Sequence, residues 1–355
     1  MNFSYEQLRR CTVAVDLGAD RTRVYLRQSG VVVDEPSVVA VDTRSGALMA
    51  VGTPARRMHG RTPPHIRVVR PIADGTVHDV RMAQRMLRAM VGEKVRRAWR
   101  RRPLLRAAMC VPHDADPLAQ RSAVETLTGL GCRRVELVDT LVAAAVGCGL
   151  PAEQPEATMI VLCCADTTHV AVLSLGAIVA AGRVGVGGET LYTAIGRHLR
   201  NHHGITVPSE TVRTLHAEAV AAETGGHSGD GDGLVVHGRD AGTGLARLIR
   251  VGAPDLLTAT HAPLMAVVDT IRGILHRCPP DLVADLADRG IMLAGDYAEL
   301  PGLADRLRQS TSMTVGVAED PAAGAINGVT AMMEGAARPL LIPSLNALDS
   351  LDGPR

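Results

Sequence analysis

Thr12–Val33 reads TVAVDLGADRTRVYLRQSGVVV, and Met159–Val179 reads MIVLCCADTTHVAVLSLGAIV. Set at an offset of 146 residues (165 minus 19), the two share the pattern Ala-Asp-x-Thr-x-Val. Ala19, Asp20, Thr22 and Val24 fall on Ala165, Asp166, Thr168 and Val170, and Gly30 falls on Gly176. Each copy is an apolar run, a short polar turn, a second run, a glycine and a third run. Such runs, bounded by turn residues, predict a β-meander. Two meanders half a chain apart predict two similar α/β halves facing one another.

Working outward, 355 residues are enough for more than one domain and for large cores. Aromatic residues make up only 2% against 46% hydrophobic, so Ala, Val, Leu and Met must fill those cores. One Phe and four Tyr leave few platforms for stacking single-stranded nucleic acid. With a net charge of +1, any basic surface has to be local. The seven cysteines, at 11, 110, 132, 148, 163, 164 and 278, form no C-x-x-C and fit reduced cytosolic thiols. MNFSYEQLRRC lacks the apolar core of a signal peptide, and no apolar run approaches the roughly 20 residues of a membrane span. A cytoplasmic chain is expected.

In order along the chain, Met1–Arg10 reads as a frayed arm, with Phe3 and Leu8 able to share a helical face as a weak membrane foot. Asp16-Leu17-Gly18 closes the first strand. A carboxylate at a strand end followed by glycine suits a metal-bound phosphate, although Asp-x-Gly is common in any turn. Residues 34–79 are strand- and turn-rich and read as a small insert, and Val77–Val91 turns helical. Gly185–Gly188 opens a helix, where backbone amides can meet an anion. Leu234–Val251 reads as a hairpin turning at Gly238 and Gly242–Gly244, and Pro263–Arg277 as a long helix. Asp230–Gly233 hints at a calcium loop, but its twelfth position is Ala241 rather than Glu, which argues against calcium. Residues 336–355 read as a disordered tail.

Lys94–Arg106, KVRRAWRRRPLLR, is the most unusual local stretch. Arg96, Arg97, Arg100, Arg101 and Arg102 surround Trp99, the only Trp, with Leu104 and Leu105 behind them. Trp favours the headgroup level of a bilayer, and anionic lipid rewards each nearby Arg by about 1 kcal/mol. A solvated basic loop is the competing reading, with a nucleic-acid patch well behind both. No nucleophile motif, H-E-x-x-H or Cys/His metal spacing is present, so neither a catalytic constellation nor a metal site is expected. His202 and His203 would point apart on a helix and read as surface residues.

From Val13 to about Met333 the chain resembles the bacterial actin family of MreB and its paralogues. Asp34–Val39 (DEPSVV), Gly60–Pro63, Arg70–Gly75 (RPIADG), Gly149–Pro151, Val236–Asp240, Cys278–Val283 (CPPDLV) and Ala318–Pro321 carry the likeness. It implies an actin-like, duplicated ribonuclease H-like α/β fold: two lobes and four subdomains. Residues 1–10 would form the arm. Residues 11–33, 80–145 and 318–335 would form one core subdomain, with 34–79 as its satellite. Residues 146–183 and 245–317 would form the second core, with 184–244 as its satellite. ATP with Mg²⁺ would bind in the cleft. Subunits would polymerise into filaments on the inner face of the membrane and work with cell-wall morphogenesis proteins in setting cell shape.

The cleft motifs depart from that pattern. In the first turn Asp16, Gly18 and Thr22 remain, but Ala19, Asp20 and Arg21 stand for Thr, Ala and Asn. Asp20 would repel phosphate and Arg21 attract it. The second turn, Asp-x-Gly-Gly-Gly-Thr-Thr-Glu in the family, is Leu162, Cys163, Cys164, Ala165, Asp166, Thr167, Thr168, His169. The metal-facing Asp is lost, as are three glycines that let amides approach phosphate. The family's catalytic Glu falls on Ala119, and loss of such a base typically costs about 10²- to 10⁴-fold. The adenosine-holding Glu-x-x-Lys falls on Arg213 and His216, and the Thr-Gly-Gly-Gly near adenine on Ala294, Gly295, Asp296 and Tyr297. Only Gly187-Gly188 is carried over intact. The expectation is an MreB-like cytoskeletal protein with vestigial ATP and Mg²⁺ binding, weak or absent, and weak or no hydrolysis, assembling with itself or with a functional paralogue on anionic membrane. The alternatives are an active ATP-driven filament former, a phosphotransferase or chaperone ATPase of the same fold, and a nucleic-acid adaptor.

Overall fold

The computed structural model describes residues 5–100, 105–224 and 233–337, with backbone alone for 93–100. The first meander is β1 (Val13–Leu17), β2 (Arg21–Leu26) and β3 (Gly30–Pro36), joined by β4 (Arg106–Val111) and β5 (Arg134–Asp139). The second is β6 (Thr158–Cys163), β7 (Thr168–Ser174) and β8 (Ala177–Val184), joined by β9 (Ile291–Ala294) and β10 (Val315–Val317). The sheets run β3-β2-β1-β4-β5 and β8-β7-β6-β9-β10, the same order twice. Register repeats too: Val13 faces Leu26 and Leu17 faces Thr22, as Met159 faces Val172 and Cys163 faces Thr168. In both sheets the meander is antiparallel and the two added strands are parallel.

Strand periodicity decides what each sheet face meets. Val13, Val15 and Leu17 point into the outer core of the first lobe, while Ala14 points inward. In the second lobe Met159, Val161 and Cys163 point outward, and Ile160 and Leu162 inward. Between the inner faces lie α4 (Thr140–Gly147) and, at the C-terminal end of the described chain, a helix over Gly324–Glu334. These two approach at backbone distance: a Cβ on Gly328 would sit 1.7 Å from the Ala143 carbonyl oxygen, and one on Gly147 1.9 Å from that of Gly324. Besides a short helix at Thr53–Met58, the preceding helices are α1 (Tyr5–Arg9), α2 (Val80–Arg100) and α3 (Pro117–Thr128). Later come α5 (Gly188–His203), α6 (Ser209–Thr224) and α7 (Ala253–Arg277), and the Gly324–Glu334 helix is α8. The outcome is an actin-like α/β fold with two lobes packed on a shared helical layer.

Several expectations change. Leu8 is fully buried on α1 and packs with Cys11 and the α8 side chains, so Tyr5–Arg9 is docked rather than frayed; Phe3 lies outside the described residues. The backbone of 93–100 is helical, continuing α2 past a break at Gly92, where a loop was expected. The side chains of Arg96, Arg97, Trp99 and Arg100, and all of Arg101, Arg102 and Leu104, lie outside the described residues. Leu105 is 4% exposed among Val13, Met109 and Leu127, so it cannot plug a bilayer. Gly238 lies within the strand Leu234–Asp240, and the turn is Asp240–Leu245. Ala246–Val251 pairs with that strand, so a boundary at residue 244 would cut one hairpin. α7 begins ten residues before Pro263 (263 minus 253), which sits inside it. The tail from residue 338 and the Asp230–Asp232 stretch are outside the described residues.

Candidate functional site: the interlobe cleft

The two family turns keep the same backbone path. Gly18 N–H donates to Arg21 O at 2.9 Å, and Cys164 N–H donates to Thr167 O at 2.9 Å, one offset apart. What differs is the side chains. Register sets Asp16 opposite Arg23 and Arg23 opposite Asp34, so three strands line up carboxylate, guanidinium and carboxylate on one sheet face. Arg23 is only 4% exposed. Its Nη2 donates to Asp296 Oδ1 at 2.6 Å, its Nε lies 3.4 Å from Asp34 Oδ1, and its Nη1 lies 3.9 Å from Asp16 Oδ2. Asp296 follows β9, so this ion pair crosses from the first lobe to the second.

The matching row in the second lobe is Leu162, His169 and Arg183. Arg183 reaches back to the first lobe, 3.2 Å from Asp114 and 3.6 Å from Asp74. His169 is buried and kept below its usual pKa by desolvation, with Nε2 3.1 Å from Thr167 Oγ1. Each lobe therefore sends one arginine to the carboxylates of the other.

Most of the first-turn side chains are engaged within the protein, although Asp20 Oδ1 is buried without a hydrogen-bond partner. Arg21, read as a phosphate attractor, donates instead to Asp34 Oδ1 at 2.7 Å and to its carbonyl at 2.9 Å. Asp20 is 7% exposed and 3.5 Å from Arg56. Thr22 Oγ1 lies 2.8 Å from Ser37 Oγ. Ala19 packs into the core of the second lobe beside Ala165 and Tyr297. Thr168 donates to Val186 O at 2.7 Å, and Glu189 N–H to Ala165 O at 2.9 Å. Gly187 is required there, since a Cβ would sit 2.3 Å from Ala165 O. Asp166 lines the cavity between the turns.

Where the resemblance puts adenosine, Tyr297 lies on Gly188: a Cβ on Gly188 would fall 1.8 Å from the Tyr297 ring. Tyr297 Oη donates to Glu189 Oε1 at 2.6 Å, and Arg213 bonds the same carboxylate. The Arg213 guanidinium lies 5.2 Å from the Tyr192 ring centre and 6.0 Å from that of Tyr297. His216 is 1% exposed, edge-on to Tyr192 at 5.9 Å, so it is a core residue rather than a ligand contact. Gly295 N–H donates to Pro321 O at 2.7 Å, and a Cβ there would meet Cys163 O at 2.3 Å. Ala119 sits in the first turn of α3, its N–H capped by Asp116, and does not line the cavity. Sequence reasoning missed Arg23 as a cleft residue; it put Tyr297 near adenine but not against Gly188. The first was legible in principle from the alternation that puts Arg23 on the face of Tyr25 and Asp16's partner row.

The space between the turns is about 60 Å³, room for a few waters, and is lined by Asp16, Arg23, Leu162, Cys164, His169 and Asp296 among others. An outer recess of about 460 Å³ opens beside Asp20, Arg21, Arg56, Arg213 and Tyr297, and each of those arginines already faces a carboxylate. A magnesium ion would find Asp16 facing Arg23, and Leu162 in place of the second carboxylate. These residues do not fit a magnesium triphosphate.

The profile described as MreB/Mbl protein matches residues 10–339. The chain belongs to the MreB/Mbl family. It is 34% identical over 313 residues to the cell shape-determining protein MreB of Escherichia coli K12, covering 87% of this chain and 89% of that one. It is 30% identical over 309 residues to the cell shape-determining protein Mbl of Bacillus subtilis, covering 87% and 91%. Among solved structures, MreB5 of Spiroplasma citri bound to AMPPNP matches with a TM-score of 0.82 at 22% identity, covering 91% of this chain and 96% of that one. A MamK double helical filament matches at 0.68 and 16%, covering 91% and 98%. These likenesses establish the actin-like fold.

Burial pushes the Asp16 carboxyl up to about 6, with Asp296 and Asp34 adding to that and Arg23 opposing it. A carboxyl raised above its unfolded value of 3.8 is disfavoured as an anion in the fold. Its penalty is present above about pH 6 and fades as pH falls toward 4. Asp16→Asn is therefore expected to raise stability at pH 7.5 by about 1–3 kcal/mol, with the gain disappearing near pH 4, as read by urea unfolding.

Proposed function

We propose that this chain is a cytoskeletal protein of the MreB type that acts without ATP hydrolysis. Its cleft is held shut by its own Arg23–Asp296 pair in place of a metal-bound nucleotide. The observation that carries this reading is the buried Arg23 side chain, bonded across the cleft and standing between Asp16 and Asp296. Tyr297 against Gly188 and Leu162 opposite Asp16 support it from either side. With both lobes already bridged, the protein would assemble with copies of itself, or with an ATP-driven paralogue, as a structural subunit in cell-shape determination and wall assembly.

The competing reading is an ATP-binding filament former. In its favour are the structural neighbours crystallised with AMPPNP and ADP, and the open recess beside Arg213. Thermal melting separates the two. A ligand at 100 times its Kd adds about 2.7 kcal/mol to stability. We expect no shift in Tm with millimolar ATP and Mg²⁺; a rise of several degrees would establish the competing reading.

The same proposal places the protein at the inner face of the membrane through the basic stretch at 94–102. No helix among the described residues is long and apolar enough to cross a bilayer, so attachment would be peripheral. Trp99 among five nearby arginines supports an interfacial contact with anionic lipid. Sedimentation with phosphatidylglycerol-rich vesicles should fall on Trp99→Ala and fall further when Arg100, Arg101 and Arg102 become Ser. Equal sedimentation of all three proteins would remove the membrane contact, and preferential retention on DNA would favour a nucleic-acid role.

A further inference from the structure

Away from the cleft, the end of α5 and the start of α7 bring together three metal-ligating side chains. His198 Nε2 lies 2.9 Å from Asp255 Oδ1, and His203 Nε2 lies 2.7 Å from Asp255 Oδ2. One ligand atom from each of the three lies within 4.8 Å of the others. Their side chains are partly buried, at 13%, 27% and 44% exposure. His202, expected to point away, stacks on His198 with ring centres 4.5 Å apart.

The backbone that carries these groups is fixed. Leu199 follows His198, Ile205 lies just beyond His203, and Leu256 follows Asp255, and all three are fully buried in one core with Val236 and Val251. Ligands presented from rigid helices over a packed core are preorganised, which is the main requirement of a tight site. The carbonyl-rich end of α5 favours a cation.

We propose that His198, His203 and Asp255 form a site for a borderline divalent transition metal, Zn²⁺ by class, with water completing the coordination. Two imidazole nitrogens and one carboxylate are a ligand set zinc accepts, whereas calcium and magnesium prefer all-oxygen shells and Cu⁺ prefers sulfur. Atoms bound to one zinc at about 2.0–2.2 Å lie no more than about 4.4 Å apart, so small side-chain rotations close the present spacing. The bound metal would tie the chain's path into the satellite sheet, along α5, to its path out, through Ala246–Val251 into α7. This goes beyond the cytoskeletal reading and does not depend on it.

The test is a Co²⁺ titration of the untagged full chain after chelator treatment, followed by displacement with Zn²⁺. One Co²⁺ per chain is expected, with visible d–d absorption and without the near-ultraviolet band of thiolate ligation. His203→Ala and Asp255→Ala should each weaken binding by more than about 100-fold, since even outer-shell partners cost 10–100-fold. His203→Gln keeps a donor for Asp255, so it should fold normally and still lose the metal. His237→Ala, at an exposed strand position, should bind like the wild type. Absence of saturable binding, a thiolate band, or undiminished binding in His203→Gln would overturn the proposal.

Discussion

A guanidinium taken out of water must be met by carboxylates, and in this protein Arg23 finds them on both sides of the cleft. Removing one partner from a buried pair typically costs about 3–5 kcal/mol, because the remaining charge is left uncompensated. Asp34 and Asp16 come from the neighbouring strands through register, so the first lobe supplies two of the three carboxylates around the guanidinium. The third, Asp296, belongs to the second lobe. Opening the cleft would part Arg23 from its one carboxylate partner in the second lobe.

The duplication explains why the bridge is two-sided. Equivalent rows in the two meanders hold Asp16, Arg23, Asp34 and Leu162, His169, Arg183. In the first row the arginine is central and reaches Asp296; in the second it is at the edge and reaches Asp74 and Asp114. The two hairpin turns make the same backbone hydrogen bond although the second has no glycine between residues 162 and 169. Backbone path and cleft chemistry are thus separable: the first is fixed by strand pairing and by the glycine-lined crossing of α4 and α8, the second by a few side chains at strand ends.

Much of the fold was legible because it is written in local periodicity. The offset between the meanders, the alternation in β1 and β6, and the apolar spacing in most helices need only neighbouring residues to be read. Long-range consequences were not legible. Alternation puts Arg23 on the inner face with Tyr25, but nothing local shows that the fold brings it to Asp296 or lays Tyr297 on Gly188. Arg21 read as a phosphate attractor from its charge and its place in the turn, while its partner Asp34, across the meander, was not in view. Leu105 read with the basic stretch before it, but strand pairing beside β1 draws it into the core. His198 and His203 lie five residues apart near the end of α5, but the carboxylate that joins them comes from another helix.

Amide hydrogen exchange at Gly18, Arg21 and Gly295, followed with and without ATP and Mg²⁺, tests the self-bridged cleft most directly. Slow exchange in the protein alone, unchanged by nucleotide and accelerated by Asp296→Ala, is the predicted result. Fast exchange in the protein alone that becomes slow on adding nucleotide would contradict it.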